Sequence, residues 1–242
     1  MEPDAYVEMA STEDWHWWFR GRRAIAHEVI GGLGLPGDAR ILELGAGTGG
    51  NLAMLAQHGS VQAGELDDAA RAMAARKANV SVVRARLPDE LPFEHASFDL
   101  VCLFDVLEHV AEDVASLVAI RRLLRPTGRL LVTVPAYQWL WSPHDERLHH
   151  LRRYTRRTLR DSAVAAGFRV ARLTYLNCLL FPIAVATRTL DRVSRRNGST
   201  GTSVASPWLN EALFRVFALE ARWVAHSRLP FGMSLLAVLG VE

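Results

Sequence analysis

The segment at residues 41–50, Ile-Leu-Glu-Leu-Gly-Ala-Gly-Thr-Gly-Gly, constrains the fold of this chain more than any other part. Its apolar residues on either side of Glu43 predict a buried parallel strand. The glycines that follow permit a tight turn and let the backbone come close to a ligand. Residues 51–56 predict the start of a helix, so the turn presents backbone N–H groups at the positive end of a helix dipole. We therefore expect a nucleotide-binding turn in an α/β fold.

The spacing of these glycines is compatible with two kinds of cofactor. Gly45, Gly47 and Gly49 form the pattern GxGxG, while Gly45, Gly47 and Gly50 also satisfy the dinucleotide fingerprint GxGxxG. The turn alone does not decide between them, so the choice depends on motifs elsewhere in the chain.

Strand-like and helix-like segments alternate after the turn. Apolar runs predict strands at residues 61–66, 80–85, 98–104 and 130–134. Helical patterns lie between them at 68–77 and 112–125. This alternation indicates a parallel sheet with helices on both faces, whose ligands bind at the carboxyl ends of the strands. We expect one site to be faced by the loops after Leu44, Leu66, Ala85, Phe104 and Val134.

The two ends of the chain are predicted to be largely helical covers of a single domain. One helix runs from the aromatic segment 15–19 to residue 30, after a polar start. Beyond a strand at 168–176, we predict helices at 179–193 and 207–227, a Gly/Ser/Thr-rich link at 197–206 and a last strand at 234–241. The resulting division is an N-terminal helical cap at 1–37, a cofactor-binding core at 38–136, a substrate lid at 137–154 and a helical insertion at 177–232.

The composition favours one compact domain in a reducing compartment. The 242 residues are 50% hydrophobic and carry a formal charge of +2, which suits a single buried core. The longest apolar stretch, residues 173–186, is interrupted by Asn177 and Pro182 and is shorter than the roughly 20 residues of a membrane span. Cys102 and Cys178 have no metal-binding spacing, which predicts reduced thiols and a cytoplasmic location.

Arginines are concentrated in two segments, residues 147–160 and 188–196. Such clusters contact phosphate groups, an anionic membrane surface or only solvent. The first segment is mainly aromatic and no separate binding module accompanies it, so we expect no nucleic acid partner. Peripheral membrane contact stays open, and the sequence does not indicate an oligomeric state.

Further motifs accompany the turn and decide its cofactor. They are Leu91-Pro92-Phe93, Ser97-Phe98-Asp99-Leu100-Val101, Val106-Leu107-Glu108-His109-Val110 and Leu123-Leu124-Arg125-Pro126-Thr127-Gly128-Arg129-Leu130. Over residues 38–176 the whole set resembles the class I S-adenosylmethionine-dependent methyltransferases that act on small molecules. A dehydrogenase would explain the glycines but has no reason to carry the other motifs.

The resemblance implies both a fold and an activity. The fold is a Rossmann-like, doubly wound α/β sheet of seven strands in the order 3-2-1-4-5-7-6, with strand 7 antiparallel, an N-terminal helix and helical insertions. The activity is methyl transfer from S-adenosylmethionine to O, N or C of a small-molecule or lipid-linked acceptor, in bacterial secondary metabolism or glycoconjugate synthesis, leaving S-adenosylhomocysteine. Two alternatives stay open: a protein of this fold that binds the cofactor without methylating, such as a cyclase or a partner protein, and an NAD-dependent oxidoreductase.

The resemblance also implies which residues hold the cofactor. Glu43 is expected to orient its amino acid end, and Glu65 to accept hydrogen bonds from the ribose hydroxyls, with Asp67 as the alternative. The remaining predicted cofactor-binding residues are Gly45, Ala46, Gly47, Gly49, Leu66, Leu87 and Asp105.

Methyl transfer is an in-line displacement that needs a base when the acceptor is not already nucleophilic. The predicted catalytic residues are His109, His144, Asp145 and Tyr137, and His149 and His150 are also candidate bases; for each of them a structural hydrogen bond is the alternative. Aromatic rings and arginines would form the acceptor surface, and packing of the tryptophans on the sheet is the alternative. The predicted substrate-binding residues are Trp17, Trp18, Arg22, Trp139, Trp141, His149, Arg153 and Tyr154.

A metal is possible at one position. Asp105, Glu108 and His109 share one face if their segment forms a helical turn, and this set of side chains suits a divalent ion. Hydrogen bonds that fix the loop are the alternative, and the sequence alone assigns no metal.

Overall fold

The computed structural model describes residues 3–77, 80–194 and 206–241, with the backbone alone at 190–194. Within these residues seven strands form one sheet, in the order β3-β2-β1-β4-β5-β7-β6. The strands are β1 (Arg40–Leu44), β2 (Ser60–Glu65), β3 (Ser81–Arg84), β4 (Phe98–Phe104), β5 (Leu124–Pro135), β6 (Phe168–Leu176) and β7 (Ser234–Val241). All neighbours from β3 to β5 are parallel, whereas β7 is antiparallel to both β5 and β6. The predicted fold class and strand order are confirmed.

The helices cover both faces of this sheet. They are α1 (Pro3–Thr12), α2 (Trp17–Gly31), α3 (Leu52–Leu55), α4 (Asp68–Lys77), α5 (Asp113–Leu123), α6 (Pro143–Arg147), α7 (Arg156–Ala165), α8 (Phe181–Ser194) and α9 (Pro207–His226). Short 3-10 turns lie at Leu107–His109 and Gln138–Leu140. None of the helices in the described part of the chain is both long and apolar enough to cross a membrane.

The amino-terminal region differs from the prediction. Two helices, α1 and α2, stand where one helix preceded by a polar start was expected. The polar composition of residues 3–12 concealed α1, because this helix packs on the glycine turn through a few side chains instead of a broad apolar stripe. The predicted link at 197–205 and the side chains at 190–196 lie outside the described residues.

The central strands are continuous apolar runs because helices cover them on both sides. In β4 every residue from Phe98 to Leu103 is buried. Asp99, the second residue of this strand, accepts hydrogen bonds from the side chain of Arg125 and from the backbone N–H of Arg40, so its carboxylate connects β4 to the starts of β1 and β5. The apolar interior therefore fixes the register that brings the carboxyl ends of β1, β2, β4 and β5 to one edge.

The aromatic segment at the start of α2 packs against α9. The rings of Trp18 and Phe217 are stacked with their centroids 5.3 Å apart, and Trp17 meets Phe217 edge-on at 5.9 Å. The backbone N–H of Trp17 donates to Asn210 Oδ1 at 2.9 Å. This contradicts the expectation that Trp17 and Trp18 form the acceptor surface, because the large apolar area of both rings is used between two helices.

The absence of a side chain at Gly21 allows this close helix packing. A Cβ at Gly21 would collide with the buried ring of Phe217, whereas one at Gly31, the last residue of α2, would have no neighbour closer than 4.0 Å. Replacing glycine by alanine within a helix otherwise favours folding by up to about 1 kcal/mol.

We expect Gly21→Ala to lower the free energy of unfolding by about 1 to 3 kcal/mol, because the Phe217 ring cannot move without disturbing Trp18. Gly31→Ala, in the same helix, should be neutral or stabilising. Urea denaturation of both variants measures the difference. Equal stability of the two would show that α2 and α9 are not packed this closely.

Candidate functional site

The glycine turn connects β1 to α3 and has the backbone that its sequence predicts. Gly45, Gly47 and Gly49 have φ angles of +71°, +54° and +88°, in the left-handed region that side chains disfavour. The N–H of Gly45 donates to the Gly64 carbonyl on β2 at 2.8 Å, which holds the turn against the neighbouring strand. Ala46 is buried between the first two glycines. The turn is therefore a rigid concave backbone at the sheet edge.

Glu43 lies on β1 directly beneath this turn and is almost fully buried. Its Oε1 accepts a hydrogen bond from Asn51 Nδ2 at 2.8 Å. Its Oε2 has no hydrogen-bond partner among the residues that the structure describes. Burial raises the pKa of Glu43 to about 8, only partly opposed by the Asn51 hydrogen bond and the charge of Arg22. A cationic group bound here would find a carboxylate oxygen ready to accept from it.

Glu65, the last residue of β2, organises the other side of the turn. Its Oε2 accepts from the N–H of Gly47 at 2.7 Å, and its Oε1 accepts from the N–H of Asp67 at 2.9 Å. Asp67 itself uses Oδ1 to accept from the N–H groups of Ala69 and Ala70 at the start of α4. Both carboxylates are therefore engaged by backbone N–H groups, and the ribose role of Glu65, with Asp67 as the alternative, stays a prediction.

Helix α1 lies over the turn, a placement that the sequence did not predict. Thr48 Oγ1 donates to Glu13 Oε1 at 2.7 Å, and Lys77 Nζ donates to the same oxygen at 2.8 Å. Burial raises the pKa of Tyr6 far above its ordinary value, with a further contribution from the charge of Glu65. Arg147 of α6 forms an ion pair with Glu8 at 2.7 Å. Helix α1 thus contacts both the cofactor turn and the predicted substrate lid.

The loop after β4 contributes the next group. Asp105 has φ +56° and accepts a hydrogen bond from Thr133 Oγ1 at 3.2 Å. Arg22 reaches it from α2 and forms an ion pair with its carboxylate. Burial lowers the pKa of Arg22 to about 10, which leaves this guanidinium charged at neutral pH. The predicted neighbours Leu66 and Leu87 lie at the ends of β2 and β3, where Leu66 is partly exposed and Leu87 packs on the core.

Glu108, His109 and His150 come together beside this loop. Glu108 and His109 lie in the 3-10 turn after β4, and His150 follows α6. The imidazole rings are 4.7 Å apart at 79°, and His150 Nε2 lies 3.9 Å from Glu108 Oε1. The expected grouping of Asp105 with Glu108 and His109 is corrected. Asp105 forms an ion pair with Arg22, and the third potential ligand beside Glu108 and His109 is His150.

Asp145 is the centre of a buried network inside the lid. It accepts hydrogen bonds from Arg153 Nε at 2.8 Å, Arg153 Nη2 at 3.0 Å, His150 Nδ1 at 2.8 Å and the Ser142 N–H at 2.9 Å. Burial alone would raise the pKa of Asp145, but the hydrogen bonds from His150 and Arg153 hold it well below its usual range. This geometry argues against Asp145 as a proton acceptor and against Arg153 as a clamp for an anionic substrate.

Tyr154 also points inward. Its ring is buried, and its hydroxyl donates to Asp113 Oδ2 at 3.0 Å. Its backbone pairs with that of Ala136, which closes the base of the lid. The expectation of Tyr154 on the acceptor surface is therefore corrected: the ring stabilises the lid from within.

An aromatic surface does form on the outer part of the lid. Tyr137 stacks on Tyr175 with ring centroids 5.2 Å apart, and its other neighbours are Trp139 at 5.5 Å and Phe181 of α8 at 5.9 Å. Burial and a hydrogen bond with Tyr175 raise the pKa of Tyr137 above its ordinary value, so its hydroxyl keeps the proton. Phe181 was not among the predicted residues, because its helix begins 44 positions after Tyr137 in the chain and no local pattern connects the two.

The remaining predicted residues lie around α6. The indole of Trp141 donates to Glu146 Oε1 at 3.4 Å. His144 is partly buried on α6, and His149 is exposed with φ +57°. His149 adjoins the cluster of Glu108, His109 and His150, because its backbone makes a hydrogen bond with the ring of His109.

Comparison with known proteins places part of the chain in a family. Residues 42–132 match the family described as methyltransferase domain. Similar curated proteins are an uncharacterized 37.1 kDa protein in transposon TN4556 of Streptomyces fradiae, 34% identical over 131 residues, and the ubiquinone/menaquinone biosynthesis C-methyltransferase UbiE of Psychromonas ingrahamii, 31% identical over 126 residues. These matches cover 50% and 46% of this chain, and 36% and 50% of the relatives. The chain thus spans half or less of the length of those proteins.

A solved structure shares the fold over nearly the whole chain. It comes from the complex that contains the Haloferax volcanii Trm112 methyltransferase activator, with a TM-score of 0.62 and 20% sequence identity. The match covers 98% of this chain and 94% of that chain. At this identity the likeness shows the fold alone. It extends beyond residues 42–132, the part of the chain that matches the family.

The buried ion pair in the lid leads to a stability prediction. We expect Asp145→Asn to lower the free energy of unfolding by about 3 to 5 kcal/mol, because the Arg153 guanidinium is left buried without its counter-charge. The matched control is Asp161→Asn, which removes an exposed ion pair with Arg157 at 3.6 Å and should cost less than about 0.5 kcal/mol. Chemical denaturation compares them, and a loss at Asp145 no larger than that at Asp161 would contradict the network.

Proposed function

We propose that this chain, in which residues 42–132 match a methyltransferase domain, is a class I S-adenosylmethionine-dependent methyltransferase that binds S-adenosylmethionine at the glycine turn and transfers the methyl group to a small-molecule acceptor. The observation that carries the proposal is the unpaired, buried Oε2 of Glu43 beneath that turn, within the described residues. A buried carboxylate oxygen needs a donor, and the α-ammonium group of the cofactor would supply one.

The residues of the turn fit the rest of this cofactor. Gly45 and Gly47 leave the backbone open for the amino acid portion, since neither carries a Cβ. Glu65 has one backbone donor on each oxygen, and a carboxylate oxygen can accept a second hydrogen bond, here from a ribose hydroxyl. Leu66 and Leu87 offer apolar surface for the adenine ring, and Asp105 lies at the end of the same groove. When bound, the cofactor supplies the electrophilic methyl group.

The acceptor side of the proposal rests on the aromatic surface formed by Tyr137, Trp139 and Phe181. Flat rings of this kind favour an aromatic or prenylated acceptor, and the name of one relative, a C-methyltransferase of ubiquinone/menaquinone biosynthesis, is consistent with that class. A phosphate-bearing acceptor is less favoured, because the guanidinium of Arg153 is bound by Asp145.

The chain's own residues would align the reactants and keep water out. Helix α1 and the lid cover the two ends of the groove, and their Glu8–Arg147 ion pair holds them together. His109 is mostly buried, and burial together with the charge of His150 lowers its pKa to about 4. Its ring is therefore uncharged at neutral pH and offers an electron pair beside the acceptor groove.

Of the two alternatives, a nicotinamide-dependent oxidoreductase is not supported by the family match, which is to methyltransferases. A protein of this fold that binds the cofactor without methylating remains a distinct outcome of the assays below. The free thiols of Cys102 and Cys178 are consistent with a reducing compartment.

The buried carboxylate links cofactor binding to proton release. With a pKa of about 8, Glu43 is mainly protonated at pH 6 to 7 in the free protein, and a bound ammonium group favours the ionised form. We expect about one proton to be released for each S-adenosylmethionine bound in this pH range. Calorimetric titrations in buffers of different ionisation enthalpy measure this number.

Glu43→Gln should abolish the proton release and weaken binding, while Glu94→Gln, at an exposed carboxylate before β4, should change neither. Release of no proton by the unaltered protein would contradict the role given to Glu43.

The transfer itself is tested with methyl-labelled cofactor and a panel of phenolic, quinol and polyprenyl acceptors. We expect label in at least one product of this panel, and none with Gly47→Val, because a side chain at this positive φ lies where the cofactor must sit and also meets Met9. Tight cofactor binding with no transfer to any acceptor would instead favour the non-methylating alternative.

A further inference from the structure

Three ligand atoms from Glu108, His109 and His150 lie within 4.8 Å of one another beneath the lid. From this geometry we propose that the three side chains form a binding site for a divalent transition-metal ion beside the acceptor groove. The site goes beyond methyl transfer and does not depend on it.

The potential ligand atoms lack other partners. Neither carboxylate oxygen of Glu108 has a hydrogen-bond partner in the described ranges, and the same holds for His150 Nε2. Glu108 is fully buried, so an unpaired carboxylate here is costly unless a cation or a proton compensates it. Glu108 and His150 share no proton, because the 3.9 Å between Oε1 and Nε2 exceeds a hydrogen bond.

Each histidine is oriented by its second ring nitrogen. Asp145 is ionised and accepts from His150 at 2.8 Å, so Nδ1 carries the hydrogen and Nε2 presents its electron pair towards Glu108. The ring of His109 makes a hydrogen bond to the backbone of His149. A carboxylate or carbonyl behind the ring is the usual support of a histidine that binds a metal, because it fixes the tautomer and the ring orientation.

The donor set selects the class of ion. One carboxylate and two imidazoles suit Zn²⁺ or Fe²⁺, whereas Mg²⁺ and Ca²⁺ prefer oxygen ligands alone. Ligands at about 2.1 Å from a tetrahedral ion stand roughly 3.4 Å apart. The 3.9 Å between Glu108 and His150 would have to close by about 0.5 Å, and separations in the set that reach up to 4.8 Å by as much as about 1.4 Å, so side-chain rotation accompanies metal binding. Three protein ligands leave at least one coordination position for water or an acceptor atom.

Neighbouring charges permit a cation here. Arg22 is the positive charge that the ion would face, and Asp105 forms an ion pair with it. Arg153 is likewise paired with Asp145. With both arginines paired, Glu108 is the carboxyl group left for a further cation, which would displace its proton on binding.

The test is metal binding to the complete, tag-free chain after chelator treatment. We expect calorimetry to show one equivalent of Zn²⁺ bound, with Mg²⁺ at least about 100-fold weaker. Co²⁺ in the same site should give visible absorption bands of a four- or five-coordinate ion with nitrogen ligands. Both readouts are independent of methyl transfer.

Two conservative variants and a neighbouring control locate the site. Glu108→Gln keeps the shape of the side chain without its charge, and His150→Asn retains an amide N–H for Asp145 but has no atom at the Nε2 position. Each should weaken Zn²⁺ binding by about 100-fold or more. His149→Asn, at the adjacent exposed histidine, suits the left-handed backbone there and should bind like the unaltered protein.

Circular dichroism and thermal unfolding in chelator confirm that the variants are folded. Failure of the chain to take up Zn²⁺, or unchanged binding by Glu108→Gln and His150→Asn, would overturn the proposal. Zn²⁺ binding without S-adenosylmethionine binding would leave the metal site standing and refute the proposed function, whereas the reverse pattern would refute the site alone.

Discussion

Buried carboxylates at the carboxyl ends of neighbouring strands are the constraint on which this structure depends. Glu43 on β1, Glu65 at the end of β2 and Glu108 after β4 all lie where the sheet edge excludes water. A carboxylate in such surroundings has to be protonated, hydrogen-bonded or paired with a cation. Both side-chain oxygens of Glu65 accept hydrogen bonds from backbone N–H groups. Glu43 has one hydrogen-bonded oxygen, and within the described residues neither oxygen of Glu108 has a hydrogen-bond partner. Glu65 therefore shapes the turn, whereas Glu43 and Glu108 keep unpaired oxygens that are suited to bind a cationic group.

The sequence predicted most of the sheet because its signals are local. Apolar runs separated by helical patterns give strands, and glycines with a left-handed backbone give the turn, so the edge at which Glu43 and Glu65 meet follows from short segments alone. The strand order came from resemblance to a family rather than from such patterns. Helix α1 was not predicted because the contacts that position it are distant in sequence. One example is the hydrogen bond between Thr48 and Glu13, the residue after the helix, which are 35 positions apart.

The lid was predicted less well, for a physical reason. Asp145 and Arg153 are residue types that usually face solvent or ligand, and the sequence gives no sign that they pair with each other inside the lid. The hydroxyl of Tyr154 likewise finds its acceptor in Asp113, 41 positions earlier in the chain. The sequence indicated His150 only as a candidate base, because its place in the cluster depends on Asp145 behind it and Glu108 in front of it. Similarly, Trp17 and Trp18 find their partner in Phe217, about 200 positions later.

Helix α1 joins two parts of the groove that the sheet keeps apart. Glu13, which directly follows the helix, contacts the turn at Thr48, and Glu8 within the helix contacts Arg147 of the lid. A shift of this one helix therefore changes the surroundings of both binding regions at once. The Glu13–Thr48 contact is buried and the Glu8–Arg147 contact is half-buried, so any energetic linkage between the two regions would pass through these few side chains and not through the core of the sheet.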